Sequence, residues 1–480
     1  MMMSMFSSVS GLKSHQIRMD VIGNNIANVN TIGFKGARAT FQEIFSQTLS
    51  PGGAPDLMTG RGGTNPIQIG LGMNVDSIST DMGRGSVQRT ESPTDLSIEG
   101  EGFFVVRSGN EGAFYFTRAG NFTIDKAGNL VTSTGKNVYG WMKYTYGENG
   151  YEFDTQEPIR PINLYEDIYN MNKRIIAAKA TTEAILSGNL DATRPAIFGT
   201  TNQTEPVEIN DDILADGTGG SDGIPDVGGK NVDPHFIVPI NVYDDLGNEY
   251  KINLKFWKTY VYNDPDDPAA RMTQWYYLVE PANGGSASVD GEDFACGYLC
   301  FDSKGRIVTT DNNFPTSVNV MLTPPAESGA GPFTFRLDMT QLSQYADDSS
   351  VKPMRVDGYP PGTLVTFSIG DDGVITGVYD NGRQQPLGLI ALAVFENPAG
   401  LEKVGNNEFR QTTNSGDFRL PSKPGTNGAG TLVPGTLEMS NVDLASQFTD
   451  MIITQRGFQA NSRVLTTSDE MLQELANLKR

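Results

Sequence analysis

Two one-sided helical segments stand at opposite ends of this 480-residue chain, with a long middle between them. Near the N-terminus, Met5, Val9, Leu12, Met19, Ile22, Ile26 and Val29 follow the three-and-four spacing of one helix face. The run stops in Asn24-Asn-Ile-Ala-Asn-Val-Asn-Thr. Those side chains compete for backbone hydrogen bonds and favour caps and turns. Gly33 follows and can take the positive φ of a reversal. At the other end, Ser440 or Asn441 can cap a second helix, with Asp443 near its positive end. Leu444, Phe448, Met451, Phe458, Leu465 and Leu472 then form a heptad-like seam, interrupted by Gln455, Ser462 and Asp469. Met471, Leu475 and Leu478 extend the apolar face. At about 1.5 Å per residue this helix is roughly 55 Å long. Periodicity alone allows two readings. The helices pack on an ordinary globular core, or they pair with each other and then with the same helices of neighbouring subunits.

The middle reads as β structure. Phe103-Phe-Val-Val is a compact strand between Gly102 and Ser108-Gly109. One pattern recurs: an apolar residue, Asp, a short polar step, Gly, then apolar residues. It appears at Ile124-Asp-Lys-Ala-Gly-Asn-Leu-Val, Val242-Tyr-Asp-Asp-Leu-Gly-Asn-Glu-Tyr, Phe301-Asp-Ser-Lys-Gly-Arg-Ile-Val and Ile369-Gly-Asp-Asp-Gly-Val-Ile. Each predicts a β-hairpin whose Gly supplies the left-handed turn residue. Four hairpins at irregular spacing predict antiparallel sandwich or barrel-like domains, not a solenoid. Ahead of them, 31–75 reads as an extended connector. It holds a short apolar pattern (Phe41, Ile44, Phe45, Leu49) and a Gly- and Pro-rich stretch in which helix is improbable. Ile67, Ile69, Leu71, Met73 and Val75 alternate as a half-buried strand does.

Composition narrows the function classes. The net charge of −21 suits a self-repelling, solvated surface, and no basic tract stands ready to track a phosphate backbone. Nucleic acid is therefore excluded as a partner. No apolar run reaches the roughly 18 residues that span a bilayer, and no basic region precedes an apolar core as in a cleavable secretory signal. With two Cys there is no disulfide framework. Cys296 and Cys300, on one face of a strand, lie too far apart to bridge each other, and buried free thiols are expected.

Catalytic and cofactor motifs are missing: there is no complete G-x-S-x-G, P-loop, H-E-x-x-H or G-x-G-x-x-G. No enzyme activity, no cofactor and no metal are expected. His15 is read as a packing residue facing a neighbour, and His235 as a surface residue at the start of a strand. Asp216 to Asp226 superficially resembles a calcium loop but lacks the Glu that an EF-hand carries at its twelfth position, so a solvated acidic loop is expected.

The terminal segments carry a specific resemblance. Asn-Asn-Ile-Ala-Asn-Val-Asn-Thr-Ile-Gly-Phe-Lys (24–35) is similar to the N-terminal signature of the bacterial flagellar rod and hook family. Leu437-Glu-Met-Ser-Asn-Val-Asp-Leu-Ala, with Met451-Ile-Ile-Thr-Gln-Arg-Gly-Phe-Gln-Ala-Asn, resembles its C-terminal signature. Residues 174–182 and 356–365 resemble the segments where such chains leave an inner β domain for an outer one and return. The resemblance implies a multidomain α+β fold with paired, coiled-coil-like terminal helices and mainly antiparallel β domains, one inserted into another. Its divisions are a helical domain at 1–30 and 436–480, the connector at 31–75, an inner β domain at 76–176 and 356–435, and an outer β domain at 177–355.

The resemblance further implies a structural hook subunit, polymerising into a curved hollow helical tube that carries motor torque from rod to filament as a universal joint. Its partners are copies of itself, the rod, hook cap and hook–filament junction proteins, and the flagellar export apparatus, with no membrane insertion. Its location is the flagellar hook and basal body, extracellular after export without a cleaved signal. The expected assembly face comprises Val9, Leu12, Met19, Ile22, Asn25, Ile26, Asn28, Phe34, Lys35, Leu444, Phe448, Met451, Phe458, Leu465, Leu472 and Leu475. Spirochaete hook proteins join subunits through a Cys and a Lys, but no Cys lies near 177–190 here. Two alternatives stand beside this reading. One is the distal rod protein, which is shorter and lacks a large outer domain. The other is an extracellular calcium-stabilised adhesin or carbohydrate-binding β protein, in which the helices play no special part.

Overall fold

The computed structural model describes residues 2–477 except 56–59, 61, 110–111, 148–149, 168–170, 202–223, 226, 228–230, 264–269, 283–284, 290–294, 309–313 and 419–420. It is mostly β-sheet, with helix α1 (Met2–Ala27) and helix α2 (Leu444–Asn477) at the chain ends. At 34 residues α2 is about 51 Å long. Its contacts divide the chain into two units: Met1–Arg174 with Val365–Val378 and Gln384–Arg480, and Ile175–Leu364 with Tyr379–Arg383.

In the first unit, α1 stops where the Asn cluster takes over the backbone. Asn28 Nδ2 donates to the Asn24 carbonyl, and Thr31 N bonds the Asn28 carbonyl. α2 begins at Leu444 because Asp443 Oδ1 accepts from Ala445 N. Asp443 is thus the cap, and Ser440 and Asn441, the expected caps, lie upstream. Between the helices and the β domain, Ala37–Glu43 pairs antiparallel with Met73–Thr80, and Ser46–Ser50 pairs with Ile67–Gly70. The stretch at 67–75 is split between Ile67–Gly70 and Met73–Thr80; Leu71, Met73 and Val75 are half-buried as expected, but Ile67 and Ile69 are exposed. A two-stranded ribbon has no second layer against which to bury a face.

The β domain of this unit centres on an antiparallel sheet. Its order runs Val374–Tyr379, Gln384–Ile390, Asn137–Trp141, Phe103–Arg107, Tyr115–Thr117, Glu408–Arg410, Glu402–Gly405. Phe103, Val105, Phe116, Tyr139, Phe395 and Phe409 pack its core, with Phe103, Phe116 and Phe395 edge-to-face.

The second unit is a two-sheet sandwich. Phe236–Tyr243, Glu249–Asn263, Arg271–Pro281 and Ala295–Phe301 form a four-stranded sheet. A five-stranded sheet lies opposite, and alternate residues such as Ile240, Leu254, Phe256, Trp275, Val320 and Leu337 fill the shared core. Glu183–Asp191 pairs in parallel with Phe333–Tyr345, which the long intervening chain permits. The reverse face of the four-stranded sheet is also covered: Trp257, Tyr276 and Leu278 are buried beneath Ile197, Phe198, Ile224 and Val232. Cys296 is half-buried and Cys300 is buried at 2.7 Å from Tyr262 Oη; both are free thiols.

All four hairpins form. In each the Asp carboxylate accepts backbone N–H groups across the turn, and Gly128, Gly247, Gly305 and Gly373 all have positive φ. His235 is not a surface residue. It is half-buried beside Trp275, and its Nδ1 accepts from Lys258 N. The candidate calcium loop at 216–226 falls almost wholly outside the described residues.

Candidate assembly face and its junction with the β domain

The two helices run antiparallel, and the line along which they meet is small and polar. Asn25 Nδ2 donates to Gln447 Oε1 at 3.0 Å, and Arg18 pairs with Asp450 at 3.0 Å. A Cβ at Gly457 would lie 2.8 Å from His15 Nε2, and one at Gly11 would lie 2.8 Å from Asn461 Nδ2. Positions 11, 15, 18 and 25 therefore face 461, 457, 450 and 447, steps of three, four or seven that keep the contact on one face of each helix. Ser8, Ser14, Ile22, Thr454 and Ser468 are buried. Side chains this small bring two helix axes close together. His15, read as a packing residue, packs between α2 and Phe41 of its own chain, and burial, then the Arg18 charge, pushes its pKa down.

Most of the expected apolar face lies beside or outside this contact. Ile22 and Asn25 are buried in it. Leu12, Met19, Ile26, Asn28, Met451, Phe458, Leu465 and Leu472 are half-buried. Val9 and Phe448 are each 50 % exposed and Leu444 39 %. The Leu475 side chain lies outside the described residues. Sequence spacing missed Phe6, Ile452, Ile453 and Val464, all exposed on the same two helices, while Met471, read as an extension of the apolar face, is exposed too. A second exposed apolar set, Ile44, Phe45, Leu49, Ile67 and Ile69, lines the two-stranded arm. Exposed apolar side chains in such number are the usual raw material of an interaction surface.

Phe34 and Lys35 belong to a different structure, a buried junction at the foot of the helices. Gly33 N bonds the Glu438 carbonyl, and a side chain at Gly33 would strike the Ala119 backbone. Lys35 Nζ donates to Glu438 Oε1 at 2.7 Å and to the Gly83 carbonyl at 2.8 Å. Arg118 reaches Glu438 Oε2 at 3.3 Å, and Gly85 N donates to Oε1. Lys35 and Glu438 are at most 1 % exposed. Burial pushes the Lys35 pKa down further than Glu438 raises it. At Glu438 burial works upward, but the Lys35 hydrogen bond and charge, with Arg118, hold the carboxyl below its ordinary range. Asn441 accepts from Gly36 N and donates to the carbonyls of Asp81 and Gly83. Asn25 bonds both backbone groups of Ala37. The signature residues at 24–35 and 437–441 thus fasten both chain ends to one spot.

Comparison with known proteins reads this geometry. The chain is 37 % identical to the flagellar hook protein of Borreliella burgdorferi over the full length of both. It is also 37 % identical, again over both full lengths, to that of Treponema pallidum. To the hook protein of Escherichia coli K12 it is 30 % identical, over 99 % of this chain and all of that one. The chain belongs to the bacterial flagellar hook protein family. It is a structural subunit of the flagellar hook, within the hook and basal body. Residues 5–35 match the family described as Flagella basal body rod protein, and 433–478 the Flagellar basal body rod FlgEFG protein C-terminal. Residues 97–172 match the Flagellar hook protein FlgE/F/G D1 domain, and 236–359 the Flagellar basal body protein FlaE D2 domain. None of these describes a catalytic family. Among the described residues, no helix is long and apolar enough to cross a membrane.

Proposed function

We propose that the subunit polymerises through the exposed apolar face of the helix pair into a curved, hollow helical tube. The tube acts as a universal joint, carrying torque from the rod to the filament. One observation carries this reading: Val9, Leu444, Phe448, Ile452 and Ile453 stand in solvent on helices whose mutual contact is already closed. Identical subunits whose donor and acceptor surfaces differ propagate as a helix. The helices form a coiled-coil-like inner layer that resists twist. The 76–176 and 356–435 segments form an inner β domain, and 177–355 is an outer domain inserted into it whose contacts slide as the tube bends. Rod, hook cap and hook–filament junction proteins meet its ends, and the export apparatus delivers the chain without cleavage.

The distal rod protein is disfavoured by the domain match at 236–359 and by full-length similarity to hook proteins. Electron microscopy of the purified full-length protein under polymerising conditions tests the proposal. Hollow tubes are expected. Persistent monomers under every condition would favour the adhesin reading.

A further inference from the structure

Lys35, Arg118 and Glu438 come from three separate parts of the first unit. Lys35 follows α1, Glu438 precedes α2, and Arg118 belongs to the β domain. Two cations share one fully buried carboxylate. The two cations are not equivalent. Arg118 also donates to the Gly100 carbonyl at 2.9 Å, stacks over Phe103, and has Glu101 4.0 Å away with its own side chain 68 % exposed. Among the described residues, Lys35 has the Gly83 carbonyl and the weaker attraction of Asp81 besides Glu438. A buried ion left without its partner is far more damaging than a pair that was never built.

We propose that Glu438 is a positioning residue for assembly: its carboxylate makes docking of the two chain ends on the β domain mutually dependent. If the N-terminal segment docks alone, Lys35 enters a buried site beside Arg118 without its carboxylate. If the C-terminal segment docks alone, Glu438 keeps Arg118 but loses its principal cation. A subunit with one end in place is therefore disfavoured, and both helices take their positions together. The inference rests on the reading of the helix pair as the assembly face, and concerns what holds that face in place.

The test is charge suppression in full-length protein, read by sedimentation of polymer and by electron microscopy. Glu438→Gln keeps the shape but strands Lys35, and at least a tenfold loss of sedimentable polymer is expected. Lys35→Met in the same chain removes the stranded cation, while the Gly83 carbonyl keeps its Asn441 donor. The double variant is expected to recover most of the lost polymer. Polymer at the wild-type level from Glu438→Gln, or a double variant no better than Glu438→Gln, would overturn the proposal. Phe448→Ala, run alongside, separates the two ideas: if it polymerises normally while suppression holds, the assembly face is misplaced but the docking mechanism stands.

Discussion

Gly457 of α2 lies directly against the imidazole of His15 in α1, closer than any side chain there would allow. Helix propensity alone favours replacing a mid-helix Gly by up to about 1 kcal/mol. The contact reverses that sign. Gly457→Val should push the helices apart at a strain of about 1–3 kcal/mol and lower the yield of polymer. The midpoint of the middle domains in thermal unfolding should not move. Polymer yield at or above wild type would show that the helices do not need this approach.

Asp357 ties together two strands of the second unit. Its carboxylate accepts from Thr182 N, Glu183 N, Thr182 Oγ1 and Lys179 Nζ, all within 2.9 Å. Burial alone would raise its pKa, but these donors outweigh it and hold the carboxyl far below the usual range. The folded-state pKa is depressed, so the stabilisation is complete above the ordinary Asp value of about 3.9 and fades as pH falls below it. Asp357→Asn should destabilise the second unit by about 1–3 kcal/mol at neutral pH, the worth of hydrogen bonds to a charged group. The gap between wild type and variant should be clearly narrower at about pH 2. Urea titrations at both pH values check this, and an equal gap at both would contradict it.

The helices, their stops and the four hairpins were legible because each depends on local chemistry. Asn28 caps its own turn, and Asp302 bonds its own hairpin. What spacing did not reveal was which helix face turns inward. The inner contact is Ser8, Gly11, Ser14 and Thr454, residues that hydrophobicity passes over. Phe448 and Ile452 are apolar yet exposed, as the proposed contact with another chain requires. His235 was misread for a related reason: its partners, Lys258 and Trp275, are distant in sequence. Lys35 stood in the signature, but nothing local marks Arg118 as its companion.

Limited proteolysis should show where independent stability lies. Both helices expose apolar stripes and lack a core of their own. In the dilute monomer they should be cut first, leaving a stable fragment close to 76–434. Mass spectrometry of the digest identifies it. Early cleavage among the described β strands, with intact termini, would contradict the expectation.

Removing 177–355 should leave a subunit that still polymerises. Lys179 and Tyr359 exchange both backbone hydrogen bonds, so the departing and returning strands run side by side. A short linker closes that gap at little cost in loop entropy. The tubes should be straighter or irregularly bent, and motility should fail although filaments attach. Normally curved hooks in micrographs of the deletion strain would place the control of curvature elsewhere.

Whether the exposed helix face joins subunits is decided by Phe448→Ala. Phe448 is half exposed, so its loss should leave the monomer's thermal midpoint unchanged. In a close-packed polymer the same truncation removes about 3–5 kcal/mol at every subunit, and Leu465→Ala about 2–5. Electron microscopy of the Phe448→Ala protein, at a concentration where wild type polymerises fully, should show no tubes. Normal tubes from this variant would contradict the account.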